Sequence, residues 1–467
     1  MKKTNKNFLY NLVYQLLSFL IPLITIPYVS RVLGVDNVGI YSFTYSIVSY
    51  FMLASMLGIN NYGSREIAKV SDNQIKKSKK FFSIYFLQLF FTIIMILIFI
   101  IFINILNYDY KTILLIQGLY LLSCAFDINW YFFGMEKFKI TISRNIIIKL
   151  LSLILIFIFV KTKNDLWIYT IILSLSTLIS QIYLWFFMKR EIKLVKVSKK
   201  EVFSNLSKCL ILFIPVIAYS IYRITDKTMI GLLSDVTQLG NYESAEKIIN
   251  IPLSIITALG TVMLPHMSNI KENEFNKKIS STFKLCFFML FPIFVGLFIV
   301  AKDFSFVFFG EEFTFTYKII RILLITILFS GITNVIRNNY LIPQSRDKIY
   351  VKSTIIGAVV NVIINLLLIK KFGAFGACVG TILAEFFVMF YQVIKTKEKI
   401  DYKLNLKLVI PFFIKSLFMG CFVIAVNIFI TEASLLKLII QAILGIVIYF
   451  ILNFNYIKYE FLGKNNL

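Results

Sequence analysis

Apolar runs of about twenty residues, separated by short charged clusters, recur from one end of the 467-residue sequence to the other. A helix rises about 1.5 Å per residue, so each run is long enough to cross roughly 30 Å of hydrocarbon. A chain built this way folds as an all-α polytopic membrane protein. The composition agrees: 58% of the residues are hydrophobic and the mean hydropathy is +0.81, which excludes an ordinary water-soluble domain.

Fourteen candidate spans are expected, near residues 8–30, 38–59, 81–106, 112–133, 141–160, 166–188, 209–232, 243–265, 283–301, 317–341, 351–369, 374–394, 408–430 and 434–454. Internal charges weaken the windows at 209–232 and 243–265. The first run follows Lys2, Lys3 and Lys6, as a secretory leader would, but it is too long for one and lacks a small-residue cleavage site. It is read as the first span.

The formal charge of +25 would suggest nucleic acid in a soluble protein. Here the charge is spread over alternate connections of an insoluble chain. The N-terminus, 60–80, 134–145, 189–208, 266–282, 342–352, 395–407 and the tail hold 32 Lys and Arg, against about ten on the other face. Basic residues are retained in the cytoplasm, so both termini are expected there, in the inner (cytoplasmic) membrane. No connection exceeds about 21 residues, which leaves no room for a soluble catalytic domain.

The two halves of the sequence repeat weakly. Asp36-Asn-Val-Gly-Ile-Tyr41 opens span two, and Thr237-Gln-Leu-Gly-Asn-Tyr242 opens span eight. Gly58 and Gly260 close those spans, while Pro22 and Arg31 correspond to Pro215 and Arg223. The offset of six spans is even, so the halves share one orientation. This predicts a six-helix bundle over 1–200, a second over 201–400 in parallel pseudo-repeat, and two additional helices with the tail over 401–467. Parallel repeats of this kind place a substrate path between bundles.

The chemical inventory narrows the class. Cys124, Cys209, Cys286, Cys378 and Cys421 are widely separated, and His266 is the single histidine. No disulfide framework, zinc-ligand spacing, phosphate-cradling glycine loop or Asp-x-Asp pair is present. No cofactor or metal is expected, and the chain is not expected to be an enzyme.

Pro22-Leu-Ile-Thr-Ile-Pro-Tyr-Val-Ser-Arg-Val-Leu-Gly34, Val38-Gly-Ile-Tyr41 and Tyr62-Gly63-Ser-Arg-Glu66 in the first half resemble a known family signature. So do Asp226-Lys-Thr-Met-Ile-Gly231, Leu239-Gly-Asn-Tyr242, Ala245-Glu-Lys-Ile248, Leu264-Pro265, Ile342-Pro343, Asn361, Asn365 and Phe372-Gly-Ala-Phe-Gly-Ala-Cys-Val-Gly-Thr381 with Glu385. The family resembled is that of the polysaccharide flippases, Wzx or RfbX type, of the multidrug/oligosaccharidyl-lipid/polysaccharide exporter superfamily. The likeness runs over roughly residues 8–395. It implies a protein that turns an undecaprenyl-diphosphate-linked oligosaccharide, an O-antigen or capsule repeat unit, from the cytoplasmic to the outer leaflet by alternating access. Membrane lipid and polysaccharide polymerase or assembly proteins are the implied partners. For some members the resemblance implies coupling to an ion gradient, for which the sequence offers no recognisable site.

A diphosphate needs cations, and a lipid-facing charge at the bilayer centre costs about 2.5–3.5 kcal/mol on insertion scales. Arg223, Asp226 and Lys227 share one face of span seven. They read either as cavity cations with an orienting carboxylate or as a self-neutralised interfacial cluster whose long side chains snorkel. Arg31 reads as a phosphate fork or an interfacial anchor. Arg321 and Arg337 sit near opposite ends of span ten and suit anchoring better than a cavity. Glu385 and Asp127 lie inside spans, where each could titrate, pair with a cavity cation or be a satisfied buried carboxyl. Lys149, Lys284 and Lys415 are within reach of span ends and are read as snorkelling. Pro22, Pro27 and Pro215 are candidate kinks, and Trp130, Trp167 and Trp185 a candidate interfacial belt.

Two rivals follow from other premises. A multidrug or cation antiporter of the same fold would show a less basic, more acidic or aromatic cavity. A membrane-embedded polysaccharide polymerase would carry a large outer loop or a metal-binding carboxylate pair, and neither is present.

Overall fold

The computed structural model describes residues 3–105, 109–188, 191–268 and 272–461; side chains at 3–20, 215, 218–219, 221–222, 261–266, 268, 272–273 and 459–461 fall outside that description, and with them the candidate kink at Pro215 and the single histidine, His266. Helices account for almost all of the described residues, and no strand occurs among them.

The chain divides into two compact units, Met1–Gly231 and Leu232–Leu467. The first contains α1 (Lys3–Met56), α2 (Ile59–Ala68), α3 (Gln74–Ile105), α4 (Lys111–Phe126), α5 (Asn129–Gly134), α6 (Phe138–Phe159), α7 (Leu166–Met188), α8 (Lys199–Phe203) and nearly all of α9 (Leu206–Leu233). The second contains α10 (Val236–Ser268), α11 (Glu272–Phe309), α12 (Thr316–Ile336), α13 (Asp347–Phe372), α14 (Ala374–Thr396), α15 (Tyr402–Phe429), α16 (Leu435–Leu452) and α17 (Phe454–Phe461).

Among the described residues, eleven helices are long and apolar enough to cross a membrane. One of them, Ile21–Ala68, has 48 residues and would extend roughly 72 Å if straight, more than twice a bilayer core. It breaks at Gly34, whose φ of 79° and ψ of 171° leave helical geometry, a conformation glycine adopts without a Cβ clash, and again at Leu57–Gly58. Pro22 and Pro27 lie inside the helical limb that precedes this break. The charge-weakened windows of spans seven and eight are helical as α9 and α10 but are not among the eleven. Each of the fourteen sequence windows thus falls on a helical segment, with α1 supplying two.

Connections assigned to one face by their basic residues pack together within each unit. In the first, Lys80 Nζ donates to Asn205 Oδ1 at 2.9 Å, Lys193 N to Ser78 Oγ at 3.0 Å, and Lys79 and Lys137 pair with Glu201 and Glu191. At the other end, Tyr28 donates to the Val160 carbonyl and Asn37 to that of Lys163. In the second unit, Thr316 donates to Asn241 Oδ1, and buried Lys437 Nζ lies 2.7 Å from Asp303 Oδ2. The opposite end sets Phe275 against Tyr340 and Phe283 against Tyr402, which brings the 266–282, 342–352 and 395–407 connections together. Connections that alternate in sequence therefore alternate in space.

The core of the first unit is aromatic. Trp130 is fully buried against Phe81 and donates from Nε1 to Gln88 Oε1 at 3.0 Å. This corrects the interfacial-belt reading for Trp130, because an indole N–H that finds a buried carboxamide needs no water. Trp167 at the start of α7 is half exposed. Tyr62 and Gly63 of α2 pack on the same core, where a Cβ at Gly63 would lie 2.6 Å from the Trp130 ring.

The internal repeat is uneven. Gly58, with φ 73°, separates α1 from α2, whereas Gly260 lies inside the continuous α10. The last two long helices join the second unit: Tyr449 of α16 donates to the Phe288 carbonyl of α11 at 2.9 Å.

Candidate functional site

A cavity of about 340 Å³ opens inside the first unit, among α1, α4, α6 and α7. Its walls follow from spacing. On α7, Tyr169, Leu173, Ser176, Thr177, Ser180 and Gln181 recur at intervals of three and four and therefore form one stripe. On α6, Arg144, Asn145, Ile148, Ser152 and Ile156 do the same. Ser152 donates to Ser176 Oγ at 2.9 Å and joins the two stripes.

Arg144 organises one end of the cavity. The residue is 4% exposed, which in an apolar body is tolerable only if its donors are satisfied. Nη2 donates to Asn129 Oδ1 at 3.0 Å and Asn145 Oδ1 at 2.8 Å, and Nε also donates to Asn145 Oδ1. Nη1 donates to the Ser180 carbonyl at 3.2 Å and to Gln181 Oε1 at 3.3 Å. A guanidinium has no acceptor, so these contacts fix which end of each carboxamide faces it. The amide nitrogens of Asn145 and Gln181 are left as donors on the cavity wall.

Asp127 joins this network indirectly. α4 stops at Phe126 and Asp127 turns to extended geometry, φ −73° and ψ 104°. Its carboxylate accepts from Asn129 N at 2.9 Å and from Asn129 Nδ2 at 2.7 Å, and that carboxamide also donates to Gln181 Oε1 at 3.1 Å. Asp127, Asn129, Arg144 and Gln181 form one connected chain. Toward the other end, the ring of Tyr169 lies 5.1 Å from that of Tyr41, whose hydroxyl is 2.8 Å from that of Tyr120. Tyr120 and Tyr169 both line the cavity, as does Lys149, which was read as merely snorkelling. Fixed donors, hydroxyls and aromatic faces suit recognition of a polar group by hydrogen bonds.

The other expected site residues lie elsewhere. Arg31 is exposed near the end of the first limb of α1. On α9, Thr228 donates to Ser46 Oγ at 2.9 Å and Thr225 lies 3.2 Å from the Tyr50 hydroxyl, so this side faces α1. At about 100° per residue, half-buried Arg223 and Lys227 occupy the opposite side, while Asp226 is buried. Glu385 accepts from Ser330 Oγ at 2.8 Å. Arg321 donates to the Phe298 carbonyl at 2.9 Å and lies over the Phe298 and Tyr317 rings, an anchoring arrangement. Arg337 opens a π-helical turn, Arg337–Leu341, and lies over Tyr350. Of the eight, only Asp127 meets the cavity network.

Arg144, Asn129, Asn145 and Gln181 escaped the sequence reading, which counted Arg144 among the charges of the 134–145 connection. The detectable signal was the hydroxyl and amide stripe on α7 facing a similar stripe on α6.

The family model described as polysaccharide biosynthesis protein matches residues 4–271. Two relatives carry the name "Putative O-antigen transporter". One, from Shigella dysenteriae, is 22% identical over 385 residues, covering 80% of this chain and 96% of its own. The other, from Escherichia coli K12, is 28% identical over 269 residues, covering 56% and 65%. The solved inward closed structure of a lipid II flippase MurJ has a TM-score of 0.78 at 17% identity, covering 97% of this chain and all of that one. That likeness establishes a shared polytopic all-α fold.

Proposed function

The chain belongs to the polysaccharide biosynthesis protein family, and from that membership we propose that it is a flippase for lipid-linked glycans. In the finer reading, its substrate is an undecaprenyl-diphosphate-linked oligosaccharide repeat unit. The protein moves it from the cytoplasmic to the outer leaflet of the inner membrane by alternating access, with both termini cytoplasmic. The observation that carries the reading is a cavity, inside a body of membrane-crossing helices, whose largely apolar wall carries amides, hydroxyls, tyrosines and Lys149. Relatives named as O-antigen transporters support it.

Moving a sugar head group through hydrocarbon strands every hydroxyl, at roughly 2–7 kcal/mol for each unpaired polar group. A protein lowers that barrier by substituting fixed donors and acceptors for water. The diphosphate needs positive charge, and Arg223 and Lys227, on the side of α9 away from α1, are the proposed cations. Asp226 is their orienting partner and Arg31 a second phosphate contact. No bond is made or broken, so the activity is transport rather than catalysis. Asp127 and Glu385 are the carboxyls through which an ion gradient would act. Membrane lipid surrounds the carrier, and a polymerase would take the product.

Cells lacking the protein should accumulate lipid-linked repeat units on the cytoplasmic face. Arg223→Ala and Lys227→Ala should each reduce export at near-normal protein levels. Undiminished export in the double variant would remove these cations from the path.

A further inference from the structure

We propose that the cavity between α6 and α7 binds one pyranose ring of the transported glycan. The proposal rests on the flippase reading for the origin of the ring, while the site stands on its own geometry. At about 340 Å³ the cavity is at the small end of ligand pockets, which run from roughly 300 to 1,000 Å³. It has room for a single sugar with its substituents.

The lining selects among polar groups. All five N–H bonds of Arg144 are engaged by protein oxygens, so its guanidinium presents no fork to a phosphate. Arg144 is therefore a positioning residue. By holding the oxygens of Asn145 and Gln181, it leaves their two NH₂ groups as fixed donors on the wall. Ser176 and Ser180 add hydroxyls that both donate and accept, and the Tyr169 ring adds an aromatic face. A pyranose matches that combination: oxygens around its edge accept from amides, its hydroxyls exchange hydrogen bonds with serines, and its C–H face packs on an aromatic ring. Ile148, Ile156 and Leu173 complete the wall with Lys149; an acyl chain would meet only the apolar part and leave the amides unpaired, whereas a pyranose uses both.

The test uses the full-length protein in detergent and four probes: the methyl α-pyranosides of glucose, galactose and mannose, and methyl N-acetyl-β-glucosaminide. Saturation-transfer NMR should detect binding of at least one. Gln181→Leu should weaken it at least about tenfold, the loss of one well-made hydrogen bond. Because Gln181 also serves Arg144, Ser176→Leu provides a second variant that fills the cavity without touching the guanidinium contacts. It should abolish the signal while thermal unfolding stays near that of the parent. No signal from any of the four glycosides, or an undiminished signal in folded Ser176→Leu, overturns the sugar site. Displacement of the glycoside by equimolar inorganic phosphate overturns it in favour of an anion site. Full export by Ser176→Leu that no longer binds glycoside would place the transported sugar elsewhere, with the flippase reading intact.

Discussion

Arg144 on α6 donates to the carboxamide oxygen of Asn129 at 3.0 Å, and so ties the break between α4 and α5 to the polar stripe of α7 through Gln181. Removing the guanidinium leaves the carboxamide oxygens of Asn129 and Asn145 without a donor, while Gln181 Oε1 keeps the one from Asn129 Nδ2. Each unsatisfied buried group costs about 1–3 kcal/mol. Arg144→Leu should therefore lose roughly 3 kcal/mol or more, read as a lower thermal midpoint in detergent and a lower folded yield. Arg144→Lys should fall between the two, since one ammonium cannot reproduce a planar fork. A Leu variant as stable as the parent would contradict the network.

Gly63 presses α2 against the aromatic core, with a would-be Cβ 2.6 Å from the Trp130 ring. Trp130 is fully buried and has nowhere to retreat. Gly63→Ala should cost about 1–3 kcal/mol through overpacking. Pairing it with Trp130→Phe should restore part of the loss in a double-mutant cycle, and simple additivity would exclude the contact.

Glu191 lies outside the membrane-crossing helices. Burial pushes its carboxyl up, but the hydrogen bonds from Lys137 and Tyr131 and the lysine charge outweigh that and hold it below the usual glutamate range. A depressed carboxylate stabilises the fold above its unfolded pKa of about 4.3, and that contribution is lost as pH falls through the lower folded value. The thermal midpoint of the parent should exceed that of Glu191→Gln at neutral pH, and the gap should close below about pH 4. A gap constant across that window would exclude the linkage.

Charge and hydropathy made the frame readable because crossing a bilayer imposes length and polarity rules on every helix. The alternation of basic connections reappears as two segregated ends in each unit, and all fourteen windows are helical. What escaped was polar chemistry held within the helices. Arg144 looked topogenic because α6 starts at Phe138, earlier than hydropathy suggested, and so carries the arginine into its second turn. Trp130 looked interfacial because sequence shows a span end, not the Gln88 partner across the bundle. The α9 charges were legible as one helix face, since spacing alone fixes that.

Orientation is testable with single cysteines in a Cys-free protein. Asn73→Cys and Lys199→Cys should resist an impermeant thiol reagent in intact cells, while Asp109→Cys and Thr431→Cys should react. Labelling of Lys199→Cys from outside would invert the topology.

Transport itself is tested most directly by reconstituting the protein in vesicles bearing an undecaprenyl-diphosphate-linked oligosaccharide on one leaflet and scoring its arrival on the other. A lipid diphosphate carries about two negative charges, and each releases roughly 2.3 kcal/mol per 100 mV on moving out of a negative interior. The account predicts protein-dependent transfer that is faster outward when the vesicle interior is negative. Transfer independent of potential would remove the electrogenic step alone; transfer no faster than in protein-free vesicles would contradict the flippase assignment.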